Sequence, residues 1–478
     1  MADKEVKKEE TGGEDLSALD KIYSETGHWS VNLGEKTIHA KRMDGRFRRI
    51  KWYVASIYLL YFIGPFLRWD GRQAILFDIP ARKYYLFGFT FWPQDVWMLS
   101  LLLLTFFMTL FAVTAFAGRV FCGYICWQTV WVDVYTWIEE KLEGEPSARR
   151  ALDAAPWTSR KVGIKAAKHS IWLALSALTG ITFTAFFIDV FELWGRYFSL
   201  QGPVYIWAVP APFLIGSYIG VGFMREQICF WLCPYARIQG VMTDVESLIP
   251  TYDYRRGEPR GKIRKGGVFS GGDCVDCNMC VAVCPMGVDI RNGLQEGCIT
   301  CGLCIDACDM VMEKTGRQKG LISYLSLNQL RDIMHRPWLK RPRSLVYTGI
   351  IILAVIGILY GVGSRAPFRV AVLHERNPLF TRMSDGSIQN SYTVKITNRT
   401  GEDNDCSVMV TGVPGRDLAF EALKANTHAG KVTPFTIRLK AMEQDLTTAS
   451  TPISIELFCT GQPESAARTI SVFMGPEK

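Results

Sequence analysis

Residues 274–308 read Cys274-Val-Asp-Cys277-Asn-Met-Cys280-Val-Ala-Val-Cys284-Pro285 and, after a short linker, Cys298-Ile-Thr-Cys301-Gly-Leu-Cys304-Ile-Asp-Ala-Cys308. Each half has the spacing C-x2-C-x2-C-x3-C, which holds two [4Fe–4S] clusters in bacterial ferredoxins. The fourth cysteine of each run ligates the cluster of the other run. The spacing therefore predicts one cluster on Cys274, Cys277, Cys280 and Cys308, and a second on Cys298, Cys301, Cys304 and Cys284.

A zinc site and a disulfide framework are the alternatives for this run. Zinc sites usually pair two short C-x2-C knuckles across a longer gap, which is not this pattern. Disulfides need an oxidising compartment and do not account for two identical runs. Because the linker between Cys284 and Cys298 is short, we expect a compact insert of about residues 265–315 rather than a free-standing ferredoxin.

The composition indicates a membrane protein. Hydrophobic residues make up 49% of the 478 residues and are concentrated in blocks. Five blocks reach the roughly 20 residues that a spanning helix requires. They are residues 51–69, 95–117, 169–190, 203–223 and 344–362. The net charge of +8 lies mostly in the connecting loops, which favours a bilayer over a nucleic acid as the partner.

The distribution of the basic residues predicts the orientation. Runs of Lys and Arg follow the second and fourth blocks, whereas Arg196 is the only basic residue between the third and fourth. The positive-inside rule then places the N-terminus and the cysteine runs in the cytoplasm. With five spans, the C-terminal region lies in the periplasm, so we expect a multi-pass protein of the bacterial inner membrane.

Residues 363–478 differ in character from the rest of the chain. Six segments alternate apolar and polar residues and are separated by Asn, Asp, Gly and Pro clusters, which is typical of an antiparallel β-sandwich of the immunoglobulin type. They are Phe368–Leu373, Gln389–Ile396, Ser407–Val413, Thr433–Leu439, Pro452–Phe458 and Arg468–Phe473. Cys406 and Cys459 lie at two strand edges, and the sequence leaves open whether they form a disulfide.

These patterns predict a multidomain membrane protein with a five-span helical domain, a ferredoxin-type insert and an all-β C-terminal domain. The expected divisions are a tail at 1–50, a transmembrane domain at 51–223, a cytoplasmic segment at 224–343, a fifth helix at 344–362 and the sandwich at 363–478.

Two shorter cysteine motifs repeat one another. Cys122 and Cys126 follow Arg119, and Cys229 and Cys233 follow Arg225, each pair as C-x3-C at the end of an even-numbered apolar block. On a helix, positions i and i+4 share one face, so each pair can offer two thiols to one ion or form a redox couple. Packing as small hydrophobic residues is the alternative. Soft thiolates favour Cu(I), which makes copper the expected ion.

The sequence carries no C-x-x-C-H haem motif and no dinucleotide or flavin fingerprint. Electrons must then come from another protein, a quinol or a small thiol.

The assembled motifs resemble the cytochrome c oxidase accessory proteins of the FixG, RdxA and CcoG type. The resemblance covers most of the chain. It is carried by Gly45-Arg-Phe-Arg, Leu67-Arg-Trp-Asp-Gly-Arg-Gln, Trp92-Pro-Gln-Asp, Phe121-Cys-Gly-Tyr-Ile-Cys-Trp-Gln, Cys229–Pro234 with Tyr235-Ala-Arg-Ile-Gln-Gly, and Cys308-Asp309-Met-Val-Met.

This resemblance implies a cupric reductase that supplies Cu(I) for the copper centre of a cbb-type oxidase, with Cys229 and Cys233 in the catalytic motif. Its expected partners are copper ions, copper-handling and oxidase-assembly proteins, and an unidentified cytoplasmic or membrane electron donor. Two other functions remain open from the sequence: a quinol dehydrogenase subunit, and an assembly scaffold in which the clusters are structural.

Overall fold

The computed structural model describes residues 38–262, 271–332, 340–400, 402–413, 420–460 and 467–476. Most of the expected tail at 1–50 and the start of the expected insert near residue 265 lie outside these residues. The chain divides into two compact units, Met1–Ile356 and Gly357–Lys478.

The first unit is mainly helical. Its helices are α1 (Arg46–Ala55), α2 (Tyr58–Ile63), α3 (Val96–Ala117), α4 (Val120–Tyr124), α5 (Trp127–Glu143), α6 (Pro146–Ala154), α7 (Ser159–Ala185), α8 (Val190–Phe198), α9 (Tyr205–Ala208), α10 (Pro210–Ile215), α11 (Pro234–Met242), α12 (Tyr254–Gly257), α13 (Met279–Ala282), α14 (Leu303–Lys314), α15 (Leu327–Leu330) and α16 (Pro342–Gly363), which extends into the second unit. Two π-helical segments are π1 (Gly216–Met224) and π2 (Ile228–Leu232).

Three helical stretches among the described residues are long and apolar enough to cross a membrane: Val96–Ala117, Tyr205–Met224 and Pro342–Gly363. They coincide with the second, fourth and fifth predicted blocks. The first block is divided among α1, α2 and a 3₁₀ turn at Gly64–Phe66. The third lies in the 27-residue α7, whose first turns carry charged residues. The number of five spans therefore stays a prediction.

Several loops of the first unit contain short antiparallel strands. A hairpin joins β1 (Arg68–Trp69) to β2 (Arg72–Gln73), and β3 (Ile75–Asp78), β4 (Lys83–Leu86) and β5 (Phe89–Phe91) form a three-stranded sheet. The antiparallel pair of β6 (Ile249–Tyr252) and β7 (Ile322–Leu325) joins the two ends of the cysteine-rich segment. The cysteine-rich segment therefore begins and ends at two paired strands.

The second unit is a β-sandwich. One sheet has the order β13-β10-β8, with β9 paired to β10, and the other has the order β12-β11-β14-β15. The strands are β8 (Phe368–His374), β9 (Thr381–Arg382), β10 (Ser387–Asn398), β11 (Asn404–Thr411), β12 (Phe420–Thr427), β13 (Val432–Met442), β14 (Ser450–Cys459) and β15 (Ala467–Met474). Alternate residues of β10 and β14 are buried, as the period of two predicts.

Five of the six predicted strand segments lie within these strands, and the sixth, Ser407–Val413, runs two residues past the end of β11. The alternation of apolar and polar residues did not predict β12. Its residues Glu421, Ala422, Leu423 and Lys424 are better helix formers than strand formers. Cys406 and Cys459 form a disulfide. They lie directly opposite each other on β11 and β14, so the bond joins neighbouring strands of one sheet instead of crossing between sheets.

Candidate iron–sulfur and thiol site

The eight cysteines of the double run line two cavities. Cys274, Cys277, Cys280 and Cys308 border the first cluster cavity, together with apolar residues such as Val275. The second cluster cavity is bordered by Cys284, Cys298, Cys301 and Cys304, and Cys280 touches it as well. The fourth cysteine of each run thus lies with the first three of the other run.

The chemistry of these cavities fits iron–sulfur clusters. Thiols are their metal-ligating side chains, and apolar residues form most of the remaining walls. Among the described residues, no three His, Cys, Asp or Glu side chains are placed to hold a single metal ion. Four cysteines of the crossed assignment line each cavity, which is the number of ligands that a [4Fe–4S] cluster takes.

Burial raises the pKa of several thiols that line these cavities. It raises the pKa of Cys280 and Cys308 to about 12 and that of Cys298 to about 11, with neighbouring sulfurs adding to the effect for Cys280 and Cys308. Metal coordination deprotonates a thiol outright. Cluster insertion therefore releases protons from these side chains.

The two cysteine runs use the same turn geometry. In the first run Asp276 and Asn278, on either side of Cys277, have φ of 50° and 58°. In the second run Thr300 and Gly302, on either side of Cys301, have φ of 48° and 72°. Such left-handed residues let successive thiols of a tight loop face the same centre.

Different side chains hold the two loops. Arg291 donates from Nη1 to Asp276 Oδ1 at 2.7 Å and from Nη2 to Asn278 Oδ1 at 2.5 Å. The Tyr324 hydroxyl donates to the Thr300 carbonyl oxygen at 2.6 Å. These contacts stabilise positive φ angles that non-glycine residues adopt only at a cost.

The i, i+4 argument predicted that each C-x3-C pair lies on one helix face. The structure shows that neither pair does. Cys122 is in α4, whereas Cys126 is the N-cap of α5. Cys229 is in π2, and Cys233 stands between π2 and α11, which begins at Pro234. Each motif therefore spans a break between two helical segments.

The two pairs nevertheless come together. Burial raises the pKa of Cys229 to about 12; the sulfurs of Cys126, Cys122 and Cys233 raise it further, while Arg119 opposes the shift. Burial also raises the pKa of Cys122 to about 11, with Arg119 opposing. We call Cys122, Cys126, Cys229 and Cys233 the four-thiol group. The Cys122 thiol donates to Gln239 Oε1 at 3.0 Å.

Two members of the four-thiol group pack against residues that line the second cluster cavity. Cys122 and Cys229 pack into one apolar cluster with Cys284 and Cys301. A Cβ atom on Gly123 would lie 2.5 Å from the Ile299 carbonyl oxygen and 3.0 Å from the Cys301 Cα, so this glycine permits the close approach. The side chains that point to copper chemistry are therefore next to one cluster cavity.

The arginine before each motif has its own role. Arg119 lies beside the thiols and donates from Nη1 to the Glu296 carbonyl oxygen. Arg225 instead donates to Glu139 Oε1 at 2.6 Å, in a buried network with Arg149. The sequence repeat revealed both arginines. Gln239 appeared only within the family stretch Tyr235-Ala-Arg-Ile-Gln-Gly, and no pattern indicated its contact with Cys122.

Comparisons with known proteins agree with this site. The profile of the 4Fe-4S dicluster domain matches residues 224–327, and that of a 4Fe-4S binding domain matches residues 99–165. The profile of the IG-like fold at the C-terminus of FixG matches residues 358–476. The nitrogen fixation protein FixG of Rhizobium meliloti is 41% identical over 422 residues, which cover 80% of each chain. The chain belongs to the FixG family.

Two further matches have related names. Protein RdxA of Cereibacter sphaeroides is 39% identical over 397 residues, covering 80% of this chain and 84% of RdxA. A crystal structure of a FixG-related protein from Vibrio parahaemolyticus covers 23% of this chain and 95% of that protein, at 23% identity and a TM-score of 0.19.

The FixG-family chain is a membrane iron–sulfur protein of electron transfer. Its FixG-family relatives and its apolar helices indicate a membrane protein. The iron–sulfur domain profiles indicate two [4Fe–4S] clusters. The prediction of two [4Fe–4S] clusters is thereby confirmed.

Proposed function

We propose that this protein reduces Cu(II) to Cu(I) at the four-thiol group. The observation that carries the proposal is the packing of Cys122 and Cys229 with Cys284 and Cys301, two of the cysteines that line the second cluster cavity. Gly123 permits this close approach. The first cluster is assigned to Cys274, Cys277, Cys280 and Cys308, and the second to Cys298, Cys301, Cys304 and Cys284. A [4Fe–4S] cluster supplies one-electron transfer when it is bound.

The thiols act on the copper. Cys229 and Cys233 bind the ion, and Cys122 and Cys126 lie near them in the facing motif. Copper displaces the thiol protons, which pass to water, and the Arg119 guanidinium favours the thiolate form. Because thiolates are soft ligands, they stabilise Cu(I) over Cu(II), which adds to the driving force for reduction by one electron.

The wider setting is also part of the proposal. Five spans place the N-terminus and both clusters in the cytoplasm and the β-sandwich in the periplasm, as the basic loops indicate. Cu(I) then passes to copper-handling and oxidase-assembly proteins for a cbb-type oxidase. Labelling of single introduced cysteines with a membrane-impermeant maleimide tests this orientation, since a cytoplasmic site is labelled only after lysis.

The decisive experiment measures copper and clusters together. The anaerobic full-length protein is reduced with dithionite and freed of excess reductant, then Cu(II) is added. Return of the oxidised-cluster absorbance is followed against the formation of a Cu(I)–chelator complex. We expect one Cu(I) per electron in the wild type and a rate at least about ten-fold lower in Cys229→Ala/Cys233→Ala.

Cys406→Ala/Cys459→Ala is the control, since it also removes two sulfurs but from the second unit. Copper reduction at the wild-type rate in the Cys229/Cys233 variant would refute the catalytic role of these cysteines. Clusters that neither reduce nor reoxidise would favour the structural-scaffold alternative.

A further inference from the structure

A cavity of about 310 Å³ lies within the helical part of the first unit. It is bordered by α2, α5, α7, α10 and π1, and we call it the aromatic cavity. The residues that carry the argument are Tyr61, Trp127, Phe183, Phe213, Gln128 and Ser217. Its volume is at the lower end of the range for small-molecule sites, which suits one ring system.

The walls of the aromatic cavity are flat and held in place. The rings of Phe183 and Phe213 stack with centroids 4.1 Å apart. Tyr61 meets Trp127 edge to face at 5.2 Å, and Trp127 stacks on Trp131 at 3.7 Å. Aromatic faces fixed in this way favour a planar aromatic ligand by offset or edge contacts.

Polar groups stand at defined points of this apolar wall. Gln128 Nε2 donates to the carbonyl oxygens of Gly220 at 3.0 Å and Arg225 at 3.1 Å, which fixes the carboxamide. Within the described part of the chain, no hydrogen bond to Gln128 Oε1 is formed. Ser217 is a buried residue on the adjacent π1 and borders the cavity. An apolar slot with a few placed polar groups is typical of a site that orients ring substituents.

Two residues of the aromatic cavity directly follow a member of the four-thiol group in the sequence. Trp127 and Gln128 are the first two residues of α5, whose N-cap is Cys126. The cavity also lies beside Tyr205–Met224, one of the stretches apolar enough to cross a membrane. A ligand dissolved in the bilayer can thus reach a place next to the thiols.

We propose that the aromatic cavity binds the head group of a quinol, and that this quinol is the electron donor. The redox part rests on the proposed copper reduction. One quinol loses two electrons and two protons: both O–H bonds break and the two C–O bonds become C=O bonds. Two Cu(II) ions each gain one electron. Gln128 and Ser217 orient the hydroxyls, and the protons leave to water.

Binding is tested separately from turnover. Full-length protein in lipid nanodiscs is titrated with decylubiquinone, and quenching of tryptophan fluorescence is recorded. Gly216 borders the cavity, and a Cβ there meets no atom within 4 Å, so Gly216→Phe fills the space without a clash at the backbone. Gly163→Phe is the matched control, because Gly163 is an exposed helical glycine whose Cβ also meets nothing.

We expect Gly216→Phe to weaken quenching at least about ten-fold, Ser217→Ala to weaken it several-fold, and Gly163→Phe to leave it unchanged. Equal binding by wild type and Gly216→Phe would overturn the proposal. Displacement of the quinone by an alkyl maltoside, which has an alkyl chain but no aromatic or quinone ring, at equal concentration would identify an acyl-chain site and overturn it as well.

The electron step has its own readout, which is anaerobic bleaching of the clusters by decylubiquinol without copper. Copper reduction by dithionite-reduced protein, with neither cluster bleaching nor Cu(I) formation when quinol is the only reductant, would refute the donor site and leave the copper function standing. Quinol bleaching without any Cu(I) formation would refute the copper function and support the quinol site.

Discussion

The Tyr124 hydroxyl donates a 3.0 Å hydrogen bond to the carbonyl oxygen of Cys301. Tyr124 ends the short helix that carries Cys122, and Cys301 is a wall of the second cluster cavity. Two parts of the chain that are distant in sequence, the first C-x3-C motif and the second ferredoxin run, are therefore joined directly. This contact makes the thiols and the second cluster one structural site.

A first prediction concerns Gly123, which precedes Tyr124 in the sequence and packs against Cys301. Gly123→Val places methyl groups where the Ile299 carbonyl and the Cys301 backbone already stand, so we expect the second cluster loop to be displaced. The iron content should fall from about eight to about four atoms per chain. Iron and acid-labile sulfide analysis measures it. Gly195→Val is the control, since a Cβ there meets no atom within 4 Å; full iron content in Gly123→Val would contradict the prediction.

The crossed ligand assignment can be tested by pairs of substitutions. Cys280→Ala/Cys308→Ala removes two ligands from one cluster if Cys308 belongs with the first run, so about four iron atoms should remain. Cys304→Ala/Cys308→Ala removes one ligand from each cluster and should weaken both. Iron analysis with electron paramagnetic resonance of the reduced protein distinguishes them. The reverse outcome would show that each run holds its own cluster.

The sequence indicated the parts of this site better than their arrangement. The eight cysteines of the run, the two C-x3-C motifs and six strands could all be read from spacing and alternation. The i, i+4 argument was wrong in geometry because a helix starts after Cys126 and another starts at Pro234, so each pair crosses a helix break. The partnership of Cys122 with Gln239 depends on tertiary packing, which local patterns do not encode.

The aromatic cavity could not be predicted from the sequence either. Its residues come from α2, α5, α7, α10 and π1, and in the sequence each aromatic residue is one among many in apolar segments. Such residues occur in every membrane-facing helix, so no spacing separates Phe183 or Phe213 from their neighbours. Only the fold shows which of them share a wall.

A third prediction uses the buried carboxylate of Asp133. Burial alone would raise its pKa, but Lys51, Arg48 and Arg42 overcome this and lower it to about 2. A depressed pKa contributes stability above the unfolded pKa of about 3.9, and this stability is lost as the pH falls toward 2. Asp133→Asn should therefore destabilise the protein by about 3 kcal/mol at pH 7, and the difference from wild type should shrink between pH 4 and pH 2.

Chemical denaturation at several pH values, followed by tryptophan fluorescence, measures this difference for Asp133. Glu375→Gln is the comparison, because Glu375 is exposed in the second unit and its loss should change little. A difference for Asp133→Asn that does not depend on pH would show that the lost contact is not the ion pair.

A fourth prediction concerns the disulfide of the second unit. Cys406 and Cys459 are separated by 53 residues, and a loop of that length restricts the unfolded chain enough to contribute about 4 kcal/mol. Cys406→Ala/Cys459→Ala in the full-length protein should lower the thermal midpoint of the β-sheet transition seen by circular dichroism. The iron content should stay at its wild-type value. Maleimide labelling of both cysteines in non-reduced wild-type protein would contradict the disulfide.

The last prediction follows from the packing of Cys122, Cys126, Cys229 and Cys233 into one group. If they act as a unit, removal of either pair should slow Cu(II) reduction about as much as removal of both, since residues that act together are strongly non-additive. We therefore expect Cys122→Ala/Cys126→Ala, Cys229→Ala/Cys233→Ala and the fourfold variant to share one residual rate. Stopped-flow measurement of Cu(I) formation, with iron content checked in each variant, compares them. Losses that multiply in the fourfold variant would mean that the two motifs bind and reduce copper independently, and the shared site would then be wrong.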